Sequence, residues 1–189
     1  MINEALQFIA QALNQALKNS FNADDDLVVA NNVIQTDGSI PPVNQNKIVL
    51  SLVNIEKETN KQYNHYNRAL EGGIYSSGSP SEFYNLDILL SANFDDYSES
   101  LKTLSVVIAY FQGHTSLTAA DLSTIPQGIK KVDLEIERLV FHQMHNLWTA
   151  MGAKYQPSVL YKVRLLNIQS GQIRGTVSSI KQTANQVIQ

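Results

Sequence analysis

The chain has 189 residues, of which 43% are hydrophobic, and this allows one domain with a substantial core. A formal net charge of −3 argues against a surface that binds nucleic acid or an acidic membrane. The sequence has no Cys, which excludes disulfides, thiolate metal sites and cysteine nucleophiles.

The N-terminal segment is predicted to form an amphipathic helix, with Asn3 as its N-cap. Apolar residues recur there at three- and four-residue steps, namely Ala5, Phe8, Ile9, Ala12, Leu13, Ala16 and Leu17. The segment lacks a basic start and a continuous apolar run, so it is not a secretory signal. No stretch approaches the roughly 18 apolar residues of a membrane span. We therefore expect a protein made in the cytoplasm without a signal peptide and without membrane insertion.

Two strands are predicted next, and the second is central. The first lies within LVVANNVI (27–34), and the second is KIVLSLVNIE (47–56). The second has apolar residues on both faces, which is typical of a strand that is covered on both sides. Residues 57–83 are polar and interrupted by Gly and Pro, so we expect a long loop that is functional or mobile.

A strand at 83–94 and a helix at 95–114 follow. Asp96 and Glu99 have the spacing of a capping box, and Gly113 is a natural helix stop. The helix is predicted to bury one apolar stripe, made of Leu101, Leu104, Ile108 and Phe111.

The last third of the chain is predicted as a loop, a strand, a short helix and a strand. In the strand KKVDLEIERL (130–139), Val132, Leu134 and Ile136 alternate inward against charged residues. The helix ends at Gly152, and a strand begins at Ser158. This order of elements predicts an α+β fold, with about three helices on a mixed or mainly antiparallel sheet. We expect one domain over 1–168 and an edge strand or arm over 169–189.

The sequence does not indicate a catalytic or metal site. His142 and His145 are three residues apart on a predicted helix, but the H-E-x-x-H arrangement of zinc hydrolases is missing. There is no G-x-S-x-G elbow, phosphate loop or dinucleotide fingerprint. We therefore expect no enzymatic activity, no metal and no cofactor.

Two blocks of sequence resemble a known family. The first is NLDILLSANFDDYSESLKTLSVVIAYFQGH (85–114), in which a strand ending in S-A-N-F leads through D-D-Y into a helix carrying L-K-x-L-S. The second is LWTAMGAKYQPSVLYKVRLL (147–166), and VLSLVNIEKE (49–58) adds an Asn-Ile-Glu strand end. These blocks are similar to the cap, or tail-terminator, family of extracellular contractile injection systems, which are phage-tail-like particles of the antifeeding-prophage and virulence-cassette type.

The resemblance implies a structural role and a fold like that of phage tail terminators. Members form a hexameric ring at the end of the particle distal to the baseplate, where they stop growth of the inner tube and the sheath. The implied partners are further copies of the chain and the sheath and tube proteins, and the protein belongs to an assembled particle. The alternative is another protein-binding or assembly module of such a particle, also without enzymatic activity.

Candidate interface residues lie in the second block and in the tail. Trp148 is interpreted mainly as a core residue beneath the corner that leads into the last long strand. Tyr155, Tyr161 and Arg164 fit the core or an interface equally, because Tyr and Arg are enriched at interfaces. In the tail, the β-branched residues Ile173, Val177 and Ile180 suit strand addition to a partner. A disordered tail is the alternative for this segment.

Overall fold

A computed structural model describes residues 1–58, 67–70, 74–78, 82–122, 126, 129, 131–168 and 173–178. The described residues form three α-helices, which are α1 (Ile2–Phe21), α2 (Tyr97–Gly113) and α3 (Phe141–Met151), and one short 3-10 helix (Pro42–Asn44). They also form nine strands: β1 (Val28–Ala30), β2 (Lys47–Lys57), β3 (Asn67–Leu70), β4 (Ile74–Gly78), β5 (Glu82–Asn93), β6 (Ser116–Thr118), β7 (Lys131–Glu137), β8 (Ser158–Ile168) and β9 (Ile173–Ser178).

A six-stranded mixed sheet is the centre of the fold. Its order is β1-β2-β5-β8-β7-β6, with β1 parallel to β2 and all other neighbours antiparallel. A second sheet has three antiparallel strands in the order β3-β4-β9. The predicted α+β class, the sheet type and the three helices are confirmed.

Helices α1 and α2 cover the first face of the main sheet. The apolar stripe predicted for α1 packs there against alternate residues of the central strands, which are Ile48, Leu50, Leu86, Ile88, Leu90 and Val163. Each of these side chains is at most 1% exposed. Burying one such side chain contributes about 1.5–3 kcal/mol relative to leaving it exposed.

Helix α3 covers part of the second face. Trp148 is 4% exposed and packs with Val33, Leu89 and Leu160 in a smaller apolar cluster. Because α3 ends at Gly152 in a left-handed conformation (φ 69°), the chain turns back there and then enters β8. The core interpretation of Trp148 is confirmed.

The outer edge of β1 is partly blocked by a side chain of α1. Asn14 Oδ1 accepts hydrogen bonds from the backbone N–H groups of Leu27 and Val28, both at 2.8 Å. Asn14 Nδ2 donates to the carbonyl oxygen of Val28 at 3.0 Å. The amide thus substitutes for a neighbouring strand at Leu27 and Val28.

A buried amide fixes the long turn between β1 and β2. Asn44 is 0% exposed, and its side chain donates to the carbonyl of Asn32 at 2.8 Å and accepts from Asn31 Nδ2 at 2.9 Å. The main-chain carbonyl of Asn44 accepts a hydrogen bond from Asn93 Nδ2 at 2.8 Å. Asn93 Oδ1 in turn accepts one from Gln156 Nε2, also at 2.8 Å. Three segments that are distant in sequence are joined in this way at one end of the sheet.

Several local predictions are wrong in detail. Helix α1 begins at Ile2 with Met1 as its N-cap, so Asn3 lies inside the helix. Leu101 is 42% exposed, because α2 instead turns Ser100, Thr103 and Val107 inward together with Leu104 and Phe111. The periodicity identified the helix, but packing on α1 and on the sheet selected a face rotated by about one residue.

The predicted loop over 57–83 and the predicted inward position of Ile136 also need correction. The loop segment contains β3 and β4, which pair with each other and, through β4, with β9. The β4–β9 pairing joins distant segments and leaves no local periodicity, whereas β3 and β4 form a local hairpin whose short, mostly polar strands lack an alternating apolar pattern. Ile136 is 56% exposed, so the layer that buries Val132 and Leu134 on the same face does not extend to the end of β7.

Candidate partner interface

Tyr155 lies on the surface at the corner between α3 and β8. Its side chain is 59% exposed, and its ring meets that of Trp148 edge to face with centroids 5.6 Å apart. Buried Trp148 therefore fixes one side of an aromatic ring whose other side faces solvent. An ordered, exposed Tyr is a favourable contact for a partner, since little side-chain entropy remains to be lost.

Tyr161 lies in the core. It is 3% exposed, and its ring centroid is 4.9 Å from that of Phe111 in α2. Burial raises the pKa of its hydroxyl to about 12, because the phenolate would lose its hydration there. Of the two interpretations left open by the sequence, the structure shows the core one, and we do not carry Tyr161 forward as an interface residue.

Arg164 belongs to a charged area on the second face of the sheet, beyond α3. Its guanidinium contacts Glu135 at 2.6 Å, and both side chains are exposed. Nearby, Lys162 Nζ lies 3.1 Å from Glu56 and 3.6 Å from Asp87. The hydrogen bond to Glu56 and the nearby carboxylates raise the pKa of Lys162. This part of the sheet is polar, with acidic groups in excess of basic ones, and it is exposed at Arg164 and Glu135 but mostly buried at Lys162 and Asp87.

Two of the three tail residues lie in β9, and the third does not fall in the described part of the chain. Ile173 pairs with Gly78 and Val177 with Tyr75 of β4. Strand β9 stands at one edge of the three-stranded sheet, as expected of an edge strand, while Ile180 lies outside the described residues. The structure brings Tyr155 and Arg164 to the surface, but it does not join them with the tail residues in one site.

Large apolar side chains that the sequence interpretation did not select are also exposed. At the turn from β7 into α3, Ile136, Val140 and Phe141 are 56%, 38% and 81% exposed. In the turn after β1, Ile40 and Val43 are 50% and 51% exposed, and Pro42 is exposed beside them. Phe141 is in line with Met144, Trp148 and Met151 of the same helix, so helical periodicity alone would have placed it in the core, and only the structure shows it exposed.

The histidines do not form a metal site in the described part of the chain. His142 and His145 are exposed on α3, His114 stacks on Tyr110 with ring centroids 4.5 Å apart, and His65 lies outside the described residues. Among the residues the structure describes, no group of three or more His, Asp and Glu side chains could hold a metal ion. None of the helices in the described ranges is long and apolar enough to cross a membrane.

A shallow polar groove lies between α1 and α2, with an accessible volume of about 280 Å³. It is lined by Ala12, Gln15, Ala16, Asn19, Tyr110, His114 and Asp121. The carboxylate of Asp121 accepts hydrogen bonds from Thr118, and these lower the pKa of Asp121. The bond from the backbone N–H of Thr118 has the largest effect. The carboxylate is therefore occupied in holding the turn after β6 rather than directed at a ligand.

The fold is similar to that of terminator proteins from contractile injection particles. One solved structure is the sheath/tube terminator of an extracellular contractile injection system in its extended state, with a TM-score of 0.67 and 11% identity over 100% of this chain. A second is the tube-terminating cap of the anti-feeding prophage, with a TM-score of 0.59 and 14% identity over 95% of this chain. The chain spans 64% and 60% of the lengths of those two proteins.

The chain belongs to the Pvc16 N-terminal domain family, whose sequence model matches residues 4–181. No curated protein matches the chain. The resemblance on the two sequence blocks is confirmed at the level of family and fold, and the matched range also includes β9 and the segment that contains β3 and β4.

Proposed function

We propose that the chain is a structural cap that terminates the inner tube and the sheath of a contractile injection particle. The observation that carries the proposal is the likeness of the whole chain to a sheath/tube terminator, together with membership of the Pvc16 N-terminal domain family. In this proposal the cap is a homo-hexameric ring at the end distal to the baseplate, it acts without enzymatic activity or cofactor, and its partners are the tube and sheath proteins.

Termination makes a physical demand that the fold can meet. A growing tube or sheath offers the same free surface after each added ring, so a terminator must bind that surface without recreating it. Strand edges are suitable contacts, because backbone hydrogen bonds can add a strand from another chain. In the main sheet, Asn14 partly blocks the β1 edge, whereas β9 presents an edge of the second sheet. The position of β9 as an edge strand supports the proposed role of residues 171–189 as an arm.

Deleting the gene and imaging the particles by electron microscopy tests the proposal. We expect tubes and sheaths of uncontrolled length, or unstable particles, in the deletion strain, and uniform length after the gene is restored. A matched control restores a variant in which Trp148 is replaced by Ala, which removes a core side chain and should not rescue. Particles of normal length and shape without the gene would contradict the cap function.

A further inference from the structure

We propose that neighbouring copies of this chain join head to tail through two different apolar surfaces. One is the β7 patch, defined as Ile136, Val140 and Phe141, and the other is the proline turn, defined as Ile40, Pro42 and Val43. The inference rests on the proposed ring and adds the pair of surfaces that would build it.

Both surfaces are ordered although their apolar side chains face solvent. Gln143 Oε1 accepts from the backbone N–H of Val140 at 3.1 Å and so caps the start of α3, where Phe141 is 81% exposed. The proline turn is anchored by the buried side chain of Asn44. Rigid, exposed apolar groups lose little entropy on binding, and they are more typical of contact surfaces than of free loops.

The two surfaces belong to opposite sides of the sheet order. The β7 patch begins on the strand next to β6, and the proline turn connects β1 to β2 at the other end of the order. In this order four strand spacings separate β1 from β7, which is roughly 19 Å at the usual distance between neighbouring strands. Two unlike surfaces on opposite sides of a subunit are what a heterologous contact requires, and such contacts close into rings when the rotation permits.

The end of β7, which no strand pairs on the β6 side among the described residues, also provides a backbone contact. The N–H of Leu134 donates to the carbonyl of Thr115 at 2.8 Å, so the backbone groups of Leu134 point toward β6. Because these groups alternate sides along a strand, those of Ile136 point the same way, beyond residues 131–133 where the β6 pairing ends. Because Pro42–Asn44 form a 3-10 helix and Pro41 and Pro42 have no N–H, a backbone contact of the proline turn at Ile136 would involve only Ile40, while Pro42 and Val43 contact Phe141.

Charge favours a neutral partner segment over a second β7. Acidic residues alternate along this strand as Asp133, Glu135 and Glu137. An antiparallel β7–β7 contact that keeps like faces together would set these acids opposite each other, which is destabilising. Residues 38–46, which contain the proline turn, carry no charged side chain. The charges on β7 therefore disfavour a symmetric dimer and do not oppose contact with the proline turn.

Cysteine cross-linking tests the pairing cleanly, because the chain has no Cys of its own. Phe141→Cys and Val43→Cys are introduced separately and together, and a short bismaleimide is applied to purified particles and to the concentrated purified chain. We expect the double variant to form a ladder of multimers. A mixture of the two single variants should stop at dimers, and each single variant alone should stay monomeric. Asp24→Cys with Gln112→Cys, at two other exposed positions, is the matched control and should give no ladder.

The outcomes separate this inference from the proposed function. If the chain is absent from the particles, the proposed cap function is contradicted. Cross-linking of the concentrated purified chain then still tests whether the two surfaces pair. Dimers from Phe141→Cys alone would show a symmetric contact and overturn the inference. Cross-links from either position to a sheath or tube protein instead of a second copy would overturn it as well, as would a double variant without a ladder in both samples.

Discussion

At the scale of single residues, the position of a side chain relative to the sheet decides whether it packs in the core or lies on the surface. Trp148 and Tyr155 touch ring to ring, yet Trp148 is 4% and Tyr155 59% exposed. Trp148 is a packing residue. Tyr155 is available to a partner, and Trp148 supports its ring from below. Polar residues show the same division, because Asn14 and Asn44 serve backbone groups, whereas Arg164 pairs with Glu135 in solvent.

Replacing Asn14 with Ala should destabilise the protein by about 1–3 kcal/mol, since the two N–H groups and the carbonyl on the β1 edge lose their partner. The free energy of unfolding in urea is the measurement. Asn19→Ala on the exposed side of the same helix is the control and should be close to neutral. Equal effects of the two substitutions would show that the edge does not depend on Asn14.

Stability should fall at high pH because of Tyr161. Its pKa is about 12 in the folded chain against an ordinary value of 10.0, so between these values the unfolded state loses the proton first. The contribution is present below pH 10.0 and is lost as the pH rises toward about 12. Unfolding measured across this window should depend less on pH for Tyr161→Phe, with Tyr155→Phe as the exposed control. An unchanged pH slope in Tyr161→Phe would contradict the assignment.

At the scale of elements, the start of α2 after β5 is capped by the side chain of Asp96. The carboxylate of Asp96 accepts hydrogen bonds from the N–H groups of Ser98 and Glu99 at 2.6 and 3.2 Å. The N-cap half of the predicted capping box is therefore confirmed. The side chain of Glu99, the other half of that box, accepts a hydrogen bond from Lys102 further along the helix.

We expect Asp96→Ala to cost about 1 kcal/mol of unfolding free energy, because two N–H groups at the start of α2 lose their acceptor. Asp96→Ser keeps an acceptor oxygen and should recover most of the loss. Chemical denaturation of the three proteins provides the comparison. If Ala and Ser are equally destabilising, the effect comes from the charge or from the loop rather than from capping.

At the scale of the whole molecule, the chain has a solid core and a separate small sheet. All strands of the main sheet end by Ile168, and β9 pairs only with β4 in the second sheet. Removal of the tail should therefore leave the main core intact. This agrees with the expected division of the chain into 1–168 and 169–189, which stays a prediction.

Truncation after Ser170 is expected to leave the main unfolding transition near that of the full chain, while lowering the occupancy of the cap on particles. Thermal unfolding followed by circular dichroism checks the first part, and quantitative blotting of purified particles checks the second. A variant truncated after Gln182, which keeps β9, separates the strand from the last residues. Normal occupancy and normal particle length with the shorter protein would exclude the proposed role of the arm.

The sequence by itself determined the helices, the long strands, the α+β class and the family. These depend on periodicity and on contiguous blocks, which are local properties of the chain. The tertiary structure alone decided which faces are buried, since contacts between distant segments set them. It turned Leu101 and Ile136 outward, placed Tyr161 in the core and assigned Asn14 to a strand edge. It also paired β4 with β9, because hydrogen bonding between distant strands leaves no signature in either segment.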